Sequence, residues 1–540
     1  MNLFDFIIVG AGSAGCVLAR RLSENPRHRV LLLEAGGPAS SFWVRTPAGV
    51  GKLFMNDEIN WSYFTEPVPS LADRKIHWPR GKLLGGTSAI NGMVYLRGHP
   101  KDFDFWGSQG NNGWDWEGVL PYFKRMEHNA RGGDAWRGAD GPLWISDPVL
   151  RHPTSTAFVE AARRVGIPYS RDLNGELHDG VGFVQHNIRN GQRHSAWNAF
   201  VEPVLDRPNL QVRSGIHVLR VVFEGNVATG VEVLEDGQRR VISAAREVVV
   251  SAGALNSPQV LMLSGVGDGQ ALHQQGIATV AHRPGVGQNL QDHFYLHCQA
   301  ASLPSASINR ELSGLRKYLH GARYLARRNG YLAISVTQVA AFTKSSPEEE
   351  YADLQISFRP MTFNYQESGK VDVDPYPAVS ASVYRTRPSS RGYVGLRSPD
   401  PLDAPMLVPN YITQEDDVRA TIAGIRQIRQ ILAAEPMARI LTRELSPGLK
   451  LQSDDQLQGY LQTHGTTCYH PVGSCRMGVD PMAVVDSRLR VHGVQRLRVI
   501  DASIMPRLTS GNTNAASIMI GEKGADLVLQ DAIPIRATAA

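Results

Sequence analysis

The 540-residue sequence contains four cysteines, Cys16, Cys298, Cys468 and Cys475. Four thiols in so long a chain make no disulfide framework, and their spacing is not that of a zinc site. No metal centre is expected, and the expected compartment is a reducing one, the cytoplasm. No apolar run is long enough to span a bilayer. No basic segment precedes the first apolar strand, so no secretory leader is expected. Lysine and arginine form no dense run and the net charge is only +5, which argues against a nucleic-acid partner. Internal repeats and low-complexity tracts are also missing. What remains is an ordinary globular composition, 42% hydrophobic and 20% charged. Its length suits about two to four domains of ~150 residues and a large buried core.

The strongest local signal is the first stretch, Leu3 to Gly37. Phe4 to Val9 is a short apolar run that reads as a buried strand. Gly10, Gly12 and Gly15 follow with G-x-G-x-x-G spacing, then a helix-like run from Cys16 to Leu22. Arg29 to Leu33 reads as a second strand, ending in Glu34. In this pattern the first glycine permits a tight turn, the second lets backbone approach a pyrophosphate, and the third lets helix and strand pack closely. The helix start offers free N–H groups to phosphate, and Glu34 is placed to accept from a ribose diol. The pattern predicts a dinucleotide site without choosing between NAD and FAD.

From Gly37 to about Asp147 the sequence is irregular and rich in glycine, proline and aromatics. It contains Trp78 to Gly92, whose glycine pair and small hydroxyl residues suit a backbone laid against a flat or phosphorylated ligand. Thr154 to Val165 reads as an amphipathic helix capped by Thr154 or Ser155. Between Leu210 and Val250 the period is two, with hairpin turns at Gly225-Asn226 and Asp236-Gly237. Glu247 to Ser251 reads as a core strand, followed by a helix start at Asn256-Ser257-Pro258. That repeats the strand–turn–helix edge of the N-terminus and predicts a nucleotide domain built from separated pieces. Leu315 to Arg328 is a basic amphipathic helix. Its apolar face, Leu315, Tyr318, Leu319, Ala322 and Leu325, is expected to meet the core, although such a helix can also lie on an anionic membrane. Asp416 to Ala433 and Ala515 to Leu529 read as helices, and Val499-Ile500 ends a strand at Asp501.

Two late segments carry chemistry. In Thr466 to Gly473, His470 precedes a proline, and a histidine of near-neutral pKa is the usual acceptor of an alcohol proton. In Gly511 to Asn514, amides precede the last helix. Spacing alone leaves His470 open as a structural histidine and Asn514 as a helix cap.

The chain resembles the glucose-methanol-choline (GMC) flavoprotein oxidoreductases over essentially its whole length. Gly81 to Asn91 matches the family's first signature, and Gly253 to Pro258, running on to Gly267, its second. Gly285-Val286-Gly287-Gln288-Asn289-Leu290-Gln291-Asp292-His293 is a further hallmark. The His470-Pro471 and Asn514 segments match the catalytic pair. The resemblance implies an α/β fold: a Rossmann-like FAD-binding domain assembled from discontinuous segments, plus an α+β substrate domain with an antiparallel sheet. The FAD-binding pieces would be 1–150, 206–295 and 476–540, and the substrate pieces 151–205 and 296–475.

The resemblance also implies FAD as cofactor and assigns residues to it. Gly10, Gly12, Ser13, Ala14 and Gly15, with Glu34 and Ala35, would hold the ADP half, and Val218 would lie near the adenine. Gly85, Ser88, Ala89, Asn91, Gly92 and Met93 would approach the flavin. Asp501 and Ala502 would sit near the pyrophosphate and ribityl chain, and Asn512, Thr513 and Asn514 near the pyrimidine edge. His470 would be the base and Asn514 its partner. Some members attach FAD to a histidine preceding the signature asparagine; Ile90 stands there, so FAD is expected to be non-covalent. Choline-oxidising members carry a glutamate in the segment matching Val336-Thr337-Gln338. The neutral Gln338 disfavours a buried quaternary ammonium. The expected reaction is oxidation of an uncharged primary alcohol to the aldehyde, with electrons passed to a quinone or another acceptor. An O₂-using oxidase, a choline-type dehydrogenase and a hydroxynitrile lyase are the alternatives. A photodecarboxylase is disfavoured by His470. Peripheral membrane contact is compatible with the basic helix.

Overall fold

A computed structural model describes residues 3–365 and 371–532. The chain opens with β1 (Leu3–Val9), α1 (Ser13–Leu22) and β2 (Val30–Glu34). After a long irregular passage come α2 (Pro153–Arg164) and β3 (Gly180–Phe183). Four strands follow: β4 (Leu210–Ser214), β5 (His217–Glu224), β6 (Val227–Glu235) and β7 (Gln238–Val250). Next are α3 (Gly253–Leu263), β8 (Phe294–Ser302), α4 (Arg316–Arg327), β9 (Val339–Thr343), β10 (Leu354–Arg359) and β11 (Ala378–Arg385). The chain ends with α5 (Glu415–Ala433), β12 (Leu441–Ser446), β13 (Thr466–Thr467), β14 (Leu497–Val499) and α6 (Asn514–Asp531).

Two sheets organise these elements. The first has the order β4-β2-β1-β7-β6-β5, with β14 added on β7. Strand β7 joins two regimes. Its first half pairs antiparallel with β6 across the Asp236-Gly237 turn, and its second half runs parallel to β1, with Val9 opposite Val250. The parallel strands β1 and β2 are almost wholly apolar because both faces are covered. The second sheet is antiparallel, β12-β8-β11-β10-β9-β3, with β13 on β8. One of its faces packs on α5 and α2, where Phe158 stacks on Phe358 with ring centroids 4.4 Å apart.

The α/β class expected from the sequence is the one observed. Several local expectations are corrected. The cap of α2 is His152, whose Nδ1 accepts from the Thr154 amide at 3.3 Å. Thr154 and Ser155 are spent elsewhere: Thr154 Oγ1 donates to the Ala306 carbonyl and Ser155 Oγ to Gln338 Oε1. Helix α3 begins at Gly253, so Pro258 is inside it. The Ala254 carbonyl, whose usual partner would be the missing N–H of residue 258, accepts instead from Ser474 Oγ at 2.5 Å. The irregular N-terminal passage holds two one-turn helices, Phe42–Arg45 and Val50–Leu53, and two longer ones, Pro100–Ser108 and Trp116–Met126. Finally, the apolar face of α4 meets no core. Leu315, Tyr318, Leu319 and Leu325 are 84%, 66%, 71% and 62% exposed, and only Tyr324 of the helix is buried. No helix among the described residues is long and apolar enough to cross a membrane.

Candidate active site

One long cavity runs between the two sheets, from the glycine turn after β1 to the polar face of the second sheet. At its first end, Gly10 has φ +101°, which only glycine takes without strain. A Cβ on Gly12 would meet nothing within 4 Å, so backbone there faces open space. A Cβ on Gly15 would run into the Gly10 carbonyl oxygen. Gly15 is thus a packing residue behind the cavity wall. Gly12 caps α1 without any side chain, leaving its first amides free for an anion. The Glu34 carboxylate accepts from the Ala11 and Gly36 amides, both at 2.9 Å. Burial pushes its pKa up to about 7, against the pull of those amides. Each oxygen keeps one lone pair for a further donor. Ala35, Ile216 and Val218 line the cavity beside it.

The middle of the cavity is walled by Gly86, Thr87, Ile90, Asn91, Gly92 and Met93. Three residues expected at the cofactor, Gly85, Ser88 and Ala89, lie behind that wall. Ser88 Oγ donates to the Gly85 carbonyl at 2.6 Å and accepts from the Ala196 amide, which fixes the turn. Asn91 Oδ1 accepts from the Met93 amide and from Arg193, each at 2.9 Å. Arg193 was not marked by any sequence signal; it is buried, donates to backbone carbonyls of Val44 and Asn91, and is pushed down to about 9 by burial. Opposite, Asp501 and Ala502 line the cavity. Asp501 Oδ2 accepts from the Gly253 amide and Ser257 Oγ, tying the end of β14 to the start of α3. The start of α6 closes this side with Asn512, Thr513 and Asn514. Its position is set by the fully buried Glu522, which accepts from Arg21 of α1 at 2.8 Å.

His470 stands where the cavity meets the second sheet, held by a short antiparallel ladder that explains how two distant motifs meet. Val472 exchanges both hydrogen bonds with Gln291, and the Cys468 amide donates to the His293 carbonyl. The His470 amide donates to Asp292 Oδ1 at 2.7 Å, and Asp292 Oδ2 accepts from Thr467 and Tyr411 hydroxyls. Tyr469 sits at φ +65°, a left-handed conformation that turns the chain just before His470.

The imidazole is oriented by three hydrogen bonds that agree in direction. His293 Nε2 lies 2.8 Å from the Thr386 carbonyl, which can only accept, so that nitrogen carries hydrogen. Burial lowers the His293 pKa to about 3, so the ring is neutral and its Nδ1 is an acceptor. His470 Nδ1, 2.9 Å away, therefore donates to it. That leaves the lone pair of His470 on Nε2, where Asn512 Nδ2 donates at 3.0 Å. Burial, then His293, then Arg80 hold the His470 pKa well below the ordinary imidazole value, so the ring is neutral.

The expected pairing of His470 with Asn514 is corrected by this geometry. The amide on His470 is that of Asn512, while Asn514 Oδ1 accepts from Ser13 Oγ at 2.8 Å. Asn514 is the first residue of α6, so its side chain faces the glycine turn; Asn512 precedes the helix and reaches the other way. His293 and Asp292 stand inside a motif read from the sequence, but nothing in the linear string gave either a role.

The N-terminal family model of the GMC oxidoreductases matches residues 4–295, and the C-terminal one residues 388–521. The chain belongs to the GMC oxidoreductase family. It is 42% identical to choline dehydrogenase, mitochondrial, of Mus musculus, over 97% of this chain and 89% of that one. It is 41% identical to alcohol dehydrogenase [acceptor] of Pseudomonas putida, over 98% and 96% of the two chains. The structure of pyridoxine 4-oxidase from Mesorbium loti superposes with a TM-score of 0.87 at 32% identity, covering 97% of this chain and 98% of that one.

As a GMC oxidoreductase the chain is an FAD-dependent enzyme that oxidises alcohols. Its residues fit that cofactor. Open space at Gly12 and free amides at the start of α1 suit a pyrophosphate, and the spare lone pairs of Glu34 suit a ribose diol. Asn512 Oδ1 is a buried acceptor with no partner among the described residues. Ile90 offers no nucleophile for covalent attachment. Gln338, expected to face substrate, does not line the cavity; it is fully buried, with Oε1 accepting from the His152 amide and Ser155 and Nε2 donating to the Leu150 carbonyl. Its neighbours Val336 and Thr337 are the residues of that segment that line the cavity.

Proposed function

We propose that this enzyme oxidises a primary alcohol to the aldehyde, with His470 as the base and Asn512 as the second group on the alcohol oxygen. The observation that carries the reading is the direction of the chain from Thr386 through His293 to His470, which presents an unprotonated Nε2 to the cavity. An entering hydroxyl takes the place of the Asn512 amide on that nitrogen. Nε2 accepts the hydroxyl proton, and the Asn512 amide, released, donates to the oxygen left behind. Bound FAD supplies the two-electron acceptor for the hydride that leaves the carbinol carbon. His470 holds the proton at Nε2 while Nδ1 stays bonded to His293. The cavity walls around the alcohol fix the carbinol carbon, and that orientation supplies much of the acceleration.

A quinone is the favoured electron acceptor because of α4. Its exposed leucines and Tyr318 stand among Arg316, Lys317, Arg323 and Arg327, the composition that binds an anionic bilayer in the interfacial plane. Tyr324, on its buried side, packs on Phe42 with ring centroids 6.1 Å apart, and Phe42 and Trp43 are themselves 40% and 41% exposed. The segment that follows them supplies Ala48, Val50 and Gly51 to the cavity wall. A bilayer seated on α4 would thus lie beside the cavity, where a lipid-dissolved quinone is at hand.

The test is an anaerobic panel of alcohols read by bleaching of the flavin, followed by air or a soluble quinone. Bleaching by a primary alcohol in the dark, reoxidised faster by quinone than by air, is expected. Lyase or light-driven activity without bleaching would overturn the reading. His470→Ala should keep FAD and lose about 10²–10⁴-fold in the rate of bleaching, the usual share of a general base. An unchanged rate would remove His470 from the mechanism.

A further inference from the structure

The second sheet has two unlike faces. Leu296, Cys298 and Ala300 of β8, Val379, Ala381 and Val383 of β11, and Leu354, Ile356 and Phe358 of β10 are buried in the apolar layer under α5 and α2. The alternate residues point to the cavity side, and they are polar. The strand register sets them in rows. Tyr295, Tyr384 and Gln355 form the first row, His297, Ser382 and Ser357 the second, and Gln299, Ser380 and Arg359 the third. The first row adjoins the base: the Tyr384 ring is 6.2 Å from that of His470.

Arg359 is the group that decides what this face can bind. Its Nε donates to Thr337 Oγ1 at 3.0 Å and one terminal nitrogen to Ser382 Oγ at 3.1 Å, both neutral oxygens. Among the described residues it makes no ion pair, whereas Arg80, which also lines the cavity, is tied to the backbone carbonyls of Pro79 and Tyr469. The bond to Ser382 leans the guanidinium out of its own row toward the second row, and so toward His470. Beside it His297 lines the cavity with a buried Nδ1 that has no hydrogen-bond partner among the described residues. A guanidinium facing a partly dry cavity with only neutral partners calls for an anion, and its planar fork matches a carboxylate. The same charge opposes a quaternary ammonium.

We propose that the substrate is a primary alcohol carrying a carboxylate, held by Arg359 while the carbinol group lies at His470. This rests on the alcohol-oxidation reading of the site. One cation among neutral neighbours balances a monoanion, which selects a carboxylate over a phosphate dianion. One row of the sheet is two residues, about 7 Å, so the carboxylate stands roughly 6–9 Å from the carbinol carbon. An ω-hydroxy acid of about six carbons or a para-(hydroxymethyl)benzoate meets that spacing. A substrate of this kind carries a charge that the alcohol expected from the sequence lacks.

The experiment compares 4-(hydroxymethyl)benzoate, its methyl ester and benzyl alcohol by anaerobic flavin reduction, in the wild type and in Arg359→Gln and Arg359→Lys. The wild type should prefer the carboxylate over the ester by about 30-fold or more, mainly through the half-saturating concentration. In R359Q the ratio should collapse to about three or less, and R359K should keep part of it. Binding of benzoate as a dead-end ligand, followed by calorimetry, should weaken by a similar factor in R359Q, with the FAD content and visible spectrum confirming a folded holoenzyme. Equal use of acid and ester by the wild type, or a ratio unchanged in R359Q, overturns the carboxylate site while benzyl alcohol still bleaches the flavin. Failure of these three, of 6-hydroxyhexanoate and of the whole alcohol panel to bleach it overturns the alcohol reading and this proposal together.

Discussion

The imidazoles of His293 and His470 meet nitrogen to nitrogen, with Nδ1 atoms 2.9 Å apart. One of the two must be the donor, and the Thr386 carbonyl on the far side of His293 decides which. His293 is thus a positioning residue that fixes the tautomer of the base. Glutamine can place an N–H on Thr386 and an oxygen on His470, whereas leucine can do neither. His293→Leu should slow flavin reduction by roughly 10²-fold, the low end of a general base's contribution, and His293→Gln should recover most of it. Because His293→Leu leaves His470 Nδ1 without its acceptor, that variant should also move the acid limb of the kcat/KM profile, whereas His293→Gln should keep it near its wild-type place. An unmoved limb in His293→Leu, or equal losses in the two variants, would leave His293 a packing residue only.

Asn512 and Asn514 are two residues apart and touch different things. Asn512 faces His470, and Asn514 faces Ser13 in the glycine turn. Asn512→Ala should lower the rate of flavin reduction about 10²–10³-fold at near-normal FAD content. Asn514→Ala should act chiefly on FAD retention, read as cofactor lost on gel filtration or dilution. The reverse pattern would restore the pairing expected from the sequence.

Much of the architecture is legible in the string because local rules dominate there. Gly10, Gly12 and Gly15 declare a βαβ turn, and Gly225-Asn226 and Asp236-Gly237 declare hairpins, with no help from the rest of the chain. The site is less legible because it is made by long-range register. His293 meets His470 only through a ladder between segments 177 positions apart. The choice between Asn512 and Asn514 depends on where a helix begins, a boundary that sequence locates only to within a few residues. Arg359 reads as an ordinary strand-end arginine until the register shows which face it shares. Helix α4 departs from its expected place for a related reason: its amphipathic period is real, but period says nothing about what covers the apolar side.

Acid should destabilise the fold. Burial pushes His178, His293 and His297 down to about 3 and, as the leading cause, His99, His186 and His194 to about 4. In an unfolded chain these rings titrate near ~6.5. Asp292, pushed up to about 6, and Glu34, pushed up to about 7, act in the opposite sense because the folded form keeps their protons. Six imidazoles against two carboxyls leave a net uptake of roughly four protons on unfolding near pH 5. The stability from the histidines is full above pH ~6.5 and is lost as pH falls toward their folded values. For a chain of this length the melting temperature should drop by roughly 5 °C per pH unit below 6.5. A melting temperature constant from pH 6.5 to 4.5, measured by scanning calorimetry, would contradict neutral burial of these rings.

The exposed face of α4 gives the last expectation. If it seats on an anionic bilayer, the holoenzyme should co-sediment with phosphatidylglycerol-containing vesicles and not with purely zwitterionic ones, and the binding should weaken as salt rises. Leu319→Glu with Leu325→Glu replaces apolar contact by like-charge repulsion at positions 71% and 62% exposed, so folding and FAD content should be unaffected while co-sedimentation is lost. Reduction of a water-soluble quinone should continue in that variant, and only turnover with a long-chain quinone embedded in vesicles should fall, by about 10-fold or more. Vesicle binding that survives both substitutions would move the docking surface elsewhere. Equal turnover of the embedded quinone by both forms would separate electron transfer from the membrane altogether.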